Sequence, residues 1–116
     1  MPRILVADST DPDFSLALAR VLALKGFGTV GTACGDVEEV WRQVIIDPPD
    51  LVLIDKHNSA EIVARLRNAP KLKGVRVLII ASSHEPHHEL EGADGYIRSP
   101  APPQTYIQAV RAALTA

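Results

Sequence analysis

Leu51-Val52-Leu53-Ile54 places apolar side chains on both parities of a short run, and Pro48-Pro49-Asp50 before it bars a continuing helix. A strand with one wet face alternates apolar and polar residues, whereas a strand apolar on both parities is covered on both faces. Such strands belong to parallel sheets, whose neighbours are joined by crossover helices that cover the sheet on each side. Asp55 closes the run. Packing gives no reason for an acid there, but open parallel sheets gather binding and chemistry at the carboxyl ends of their strands. Asp55 therefore stands where chemistry is expected.

The remainder of the chain alternates in the same way. Ile4 to Ala7 is a first strand ending at Asp8. Asp11-Pro12 supplies a helix cap and a first-turn proline, and Phe14, Ala17, Leu18, Val21 and Leu22 follow at helical spacing until Gly26. Phe27 to Ala33, with two glycines and alternating threonines, suggests an edge strand. Asp36 caps a second helix with the stripe Val37, Val40, Trp41, Val44 and Ile45, and Glu38 and Glu39 lie near its positive end. A third helix is expected from near Asn58 or Ser59, through Ile62, Val63 and Leu66, to about Asn68. Val75 to Ala81 is a fourth strand, Ser82 to Gly92 has room for a short helix, and Asp94 to Arg98 is a fifth strand. Pro102-Pro103 opens a last helix with the stripe Pro103, Ile107, Val110 and Leu114. Five strands alternating with five helices, the fourth shortened, predict an α/β three-layer sandwich around a parallel sheet.

Composition narrows the function classes. The 116 residues are expected to form one domain, residues 1–116, and 47% of them are apolar without a run long enough to span a membrane. A formal net charge of −2 offers no footprint for nucleic acid or an anionic membrane. No signal-peptide pattern opens the chain, and the lone Cys34 excludes an internal disulfide, which together predict a cytoplasmic protein. Cys34 beside Gly35 is expected to be a loop thiol, not a nucleophile. Asp8-Ser9-Thr10-Asp11 is acidic where a nucleotide would require glycines and cations.

Three segments in order carry a resemblance: the first strand ending in Asp8, Pro49 to Asp55 reading PDLVLID, and Gly92 to Pro100 reading GADGYIRSP. Over essentially the whole chain they resemble the receiver domain of bacterial two-component response regulators. The resemblance implies a flavodoxin-like fold with strand order 2-1-3-4-5 and a crevice between the first and third strands. It implies a signalling module and not an enzyme, with Asp55 as the phosphoacceptor position. It also implies Mg²⁺ held by Asp8 and Asp55, and a histidine kinase or downstream effector as partner. It leaves a homodimer open and brings neither nucleic acid nor membrane to this domain.

Against that pattern the supporting positions differ. Ser9 stands where the family has a second acid, Ala81 where it has a hydroxyl, and Ser99 where it has a lysine. Ser82 and Ser83 follow Ala81, Arg98 precedes Ser99, and the loop after Asp55 is shorter by about four residues, roughly one helical turn. Fewer acids weaken Mg²⁺ binding, so the ion is expected to bind weakly or not at all. Losing lysine removes a charge-assisted contact to phosphoryl oxygens. Ala81, Ser82, Tyr96 and Ser99 are thus the switch positions, and they predict a degenerate receiver that works by protein–protein contact. One alternative is a working phosphoacceptor, with Ser82 or Ser83 for the hydroxyl and Arg98 for the lysine. Another is a flavodoxin-like ligand-binding protein unrelated to phosphotransfer.

Simpler roles compete for several of these residues. Asp55 can cap a helix, Asp8 can hold the turn into Asp11-Pro12, and Tyr96 can be a half-buried strand tyrosine. The resemblance also raises a cis bond at Ser99-Pro100. His84, His87 and His88 have helical spacing and, with His57, suggest a metal site; solvated histidines are the plainer reading.

Overall fold

The apolar runs become five parallel strands: β1 Arg3–Ala7, β2 Thr29–Ala33, β3 Leu51–Asp55, β4 Arg76–Ser82 and β5 Gly95–Ser99. They pair in the order β2-β1-β3-β4-β5, as expected for a flavodoxin-like sheet. Four helices accompany them: α1 Pro12–Leu24, α2 Val37–Ile46, α3 Lys56–Asn68 and α4 Pro103–Thr115. The structure, a computed structural model, describes residues 2–8, 11–82 and 92–115, with the backbone alone of Ser82. Four helices, not the expected five, therefore stand among the described residues. The expected short helix between Ser82 and Gly92 lies outside them.

Strand parity sorts the core into two layers. Ile4, Val6, Leu51, Leu53, Leu78, Ile80 and Ile97 pack with Leu18 and Leu22 of α1 and Tyr106, Ile107 and Val110 of α4. Leu5, Ala7, Val52, Ile54, Val77 and Ile79 pack with Val40 and Val44 of α2 and Ile62, Val63 and Leu66 of α3. All of Leu51, Val52, Leu53 and Ile54 are 0% exposed, which bears out the two-sided burial of β3. Each such side chain contributes roughly 1.5–3 kcal/mol from burial.

Local chemistry sets most boundaries. Asp11 and Asp36 cap α1 and α2 by accepting the amides of Phe14 and Glu39 at 3.0 and 3.1 Å. Asp50 accepts the Arg3 amide at 2.7 Å and passes its carbonyl to Arg76 N–H, so the Pro48-Pro49-Asp50 corner ties β1, β3 and β4 together. The Arg67 guanidinium donates to the carbonyls of Lys73, Val75 and Gly92, joining the loops on either side of β4.

Four expectations are corrected. α3 starts at Lys56, not at Asn58 or Ser59, because Asp55 itself occupies the cap position. β2 starts at Thr29, since Gly28 turns with φ +94° and Phe27 drops into the core. Ile45 is 55% exposed; the buried stripe of α2 is Val40 and Val44, with Val37 and Trp41 partly buried beside it. In α4 the buried stripe is Tyr106, Ile107, Val110 and Ala113; Pro103, at the exposed helix start, lies outside it.

Candidate functional site

Ala7 of β1 pairs with Ile54 of β3, so Asp8 and Asp55 are the next residues on adjacent strands at the carboxyl end of the sheet. Both line a cavity of about 430 Å³ together with Asp11 and Phe14 of the α1 start, Lys56 and His57 of α3, and Ile80, Ala81, Ser99 and Pro100. The crevice expected between the first and third strands is present, and the topological reversal of the sheet puts it there.

The three carboxylates differ in what they do. Asp11 is engaged in capping α1. Asp8, only 9% exposed, accepts the Asp11 amide through Oδ1 at 3.1 Å, so it does hold the turn into α1. Asp55 occupies the cap position of α3 with extended dihedrals, φ −67° and ψ 153°, yet its side chain makes no cap hydrogen bond. The two other acidic cap residues, Asp11 and Asp36, both cap with their carboxylates. A cap bond contributes about 1 kcal/mol, so an aspartate that forgoes it is not explained by helix stability.

The first turn of α3 is part of the wall. Lys56, the first helical residue, is half-buried and His57 is exposed. Asn58 and Ser59 are buried, donating from Nδ2 to Gly35 C=O at 3.3 Å and from Oγ to Lys56 C=O at 2.8 Å. Helix N-termini carry partial positive charge, so α3 aims a favourable field at an anion beside Asp55.

The expected switch positions fall in different environments. Ala81 is 7% exposed and brings a methyl group to the wall. Ser82 pairs with Ser99 through the sheet register. Tyr96 is half-buried against the layer of α2 and α3. Ser99 lines the cavity, but its Oγ is 2.9 Å from the hydroxyl of Tyr106 on α4. Tyr106 in turn meets Phe14 edge-to-face, with ring centroids 5.9 Å apart. Arg98 is exposed on the opposite parity of β5 and does not line the cavity. The Ser99-Pro100 bond is cis.

For a hard cation, Asp8 and Asp55 bring oxygen donors to one wall, a set that suits a Mg²⁺ ion keeping several waters. Among the described residues no three His, Cys, Asp or Glu side chains are grouped to hold a metal. His84, His87 and His88 lie outside the described residues. The resolved shifts in acidity are remote from this wall: Arg65 hydrogen-bonds Glu38 and holds its carboxyl below the usual 4.5.

Lys56 and Tyr106 are site residues that sequence reasoning did not single out. Lys56 directly follows Asp55, and its role was hidden by an expected loop. Tyr106 stands three and four residues from Ala109 and Val110, a helical spacing that could have exposed it.

No protein-family model matches the chain, and no curated protein matches it. Solved structures do. A candidate response regulator from Chloroflexus aurantiacus superposes with TM-score 0.85 at 22% identity, covering 100% of both chains. The signal receiver domain of a signal transduction histidine kinase from Syntrophus aciditrophicus gives 0.82 at 22% identity, covering 99% of this chain and 91% of its own. A chemotaxis response regulator of Vibrio cholerae gives 0.83 at 20% identity, covering 98% and 100%. With the strand order and the placement of the crevice, these neighbours show that the chain has the fold of response-regulator receiver domains.

Proposed function

We propose that this chain is a receiver-like domain of two-component phosphorelay signalling that acts mainly through protein–protein contact, with weak or no phospho-switching. Its partner is a histidine kinase or a downstream effector. The observation that carries the reading is the Ser99–Tyr106 hydrogen bond beside the Ala81 methyl group. A receiver switches when groups at the ends of β4 and β5 bind a phosphoryl group differently in two states. A ligand without such differential contacts shifts nothing. Among the described side chains, β4 brings Ala81 to the cavity wall, and the Ser99 hydroxyl at the end of β5 is engaged by Tyr106 of α4.

The observation that Asp55 forgoes its cap bond supports a second reading, in which the phosphoacceptor is retained. Asp8 and Asp55 would hold Mg²⁺, which neutralises charge on the transferring group when bound. The Asp55 carboxylate would be the nucleophile toward phosphorus.

The test incubates the protein with Mg²⁺ and phosphoramidate, then records intact mass and amide resonances beside Asp55→Asn. The expected result is a sparse or short-lived Asp55-dependent adduct with unchanged β4 and β5 signals. A stoichiometric, long-lived adduct that shifts those strands would overturn the contact-based reading.

A further inference from the structure

We propose that a phosphoryl group on Asp55 is met by Lys56 in the first turn of α3, so that the fold answers along α3 and α2 instead of β4 and β5. This rests on the reading that Asp55 accepts a phosphoryl group. Lys56 is half-buried and lines the same cavity as Asp55. The rival cation, Arg98, is exposed on the far parity of β5 and does not line it. Ser99 is bonded to Tyr106.

Asp8 and Asp11 add negative charge to the same wall, so the Lys56 ammonium there favours an arriving phosphoryl dianion. In the step with phosphoramidate, an Asp55 oxygen forms the new O–P bond as the P–N bond breaks. Ammonia leaves with the electron pair, and the product is an acyl phosphate whose oxygens lie beside Lys56.

The first turn of α3 is wired to its neighbour. Ser59 holds the Lys56 carbonyl, and Asn58 reaches Gly35 in the turn before α2. Farther along α3, Arg65 pairs with Glu38 of α2 and lies over the Trp41 ring at 5.7 Å. A pull on Lys56 is therefore delivered to the face shared by α2 and α3.

The experiment measures adduct formation by intact mass in the unsubstituted chain, Lys56→Gln, Lys56→Arg and Arg98→Gln, each with Mg²⁺ and phosphoramidate. Melting curves of the four establish that each is folded. Lys56→Gln is expected to slow adduct formation by roughly tenfold or more, with Lys56→Arg recovering most of it and Arg98→Gln staying within about twofold. Amide shifts on adduct formation are expected at 35–41 and 56–62. Equal rates for Lys56→Gln and the unsubstituted chain overturn the proposal, as do shifts confined to β4 and β5. Absence of any adduct on the unsubstituted chain overturns it too, while leaving the contact-based function standing.

Discussion

Tyr106→Phe deletes one oxygen at a chosen place. The ring is 4% exposed and keeps its edge-to-face contact with Phe14, so the loss is confined to the bond with Ser99 Oγ. A net hydrogen bond contributes about 0.5–1.5 kcal/mol. Ser99 borders an open cavity where water can replace the lost partner, which places the cost in the lower half of that range. Unfolding entropy near 2.1 cal/mol/K per residue gives roughly 0.24 kcal/mol/K for 116 residues. A loss of about 1 kcal/mol therefore lowers the melting temperature by about 4 °C.

The assay is a double-mutant cycle of Tyr106→Phe and Ser99→Ala by urea denaturation, which isolates the coupling between the two hydroxyls. A coupling of about 0.5–1 kcal/mol is expected. If Ser99 is withheld from the cavity by Tyr106, the Phe variant also holds an Asp55 adduct longer than the unsubstituted chain. Zero coupling together with unchanged adduct lifetime would refute the idea that α4 occupies the β5 position.

Two further predictions follow from local geometry. Gly28→Ala should cost roughly 2 kcal/mol or more in chemical denaturation, because φ is +94° and a new Cβ runs into the Pro2 carbonyl oxygen. Gly26→Ala, at φ +80° with open space around it, should cost about 1 kcal/mol; equal losses would discount the Pro2 contact. Glu38 has a folded pKa lowered by its hydrogen bond to Arg65. Its stabilisation is therefore present above the unfolded value and lost as pH falls through the folded value. A carboxyl titration should place its midpoint below 4.5, and Arg65→Met should restore the ordinary value.

Much of the fold was legible because its determinants are local or periodic. Two-sided burial of β3 follows from apolar residues on both parities, and the caps at Asp11 and Asp36 follow from a carboxylate three residues before the amide it accepts. The start of α3 was not legible, since Asp55 serves both as the last residue of a strand and as the cap of a helix. Pattern reading gives such a residue to one element and assumes a loop after it. Ile45 lies beside the packed face of Val37, Val40, Trp41 and Val44, and periodicity alone does not say how wide a buried face is. The Ser99–Tyr106 bond joins two elements through hydroxyls, and no hydrophobic pattern carries that information.

The misread helix start also bears on the chemistry. Ile62, Val63 and Leu66 must face the sheet, and Asn58 and Ser59 are buried with them, so the rotation of α3 is fixed by packing. Asp55 is fixed as well, by its register opposite Ile80. With no residue between strand and helix, the backbone of Lys56 is held at the junction of β3 and α3. Its position is dictated from both sides, and it lines the cavity that Asp55 lines. Lys56 thus borders the cavity beside Asp55, whereas Arg98 near the end of β5 is exposed and does not line it.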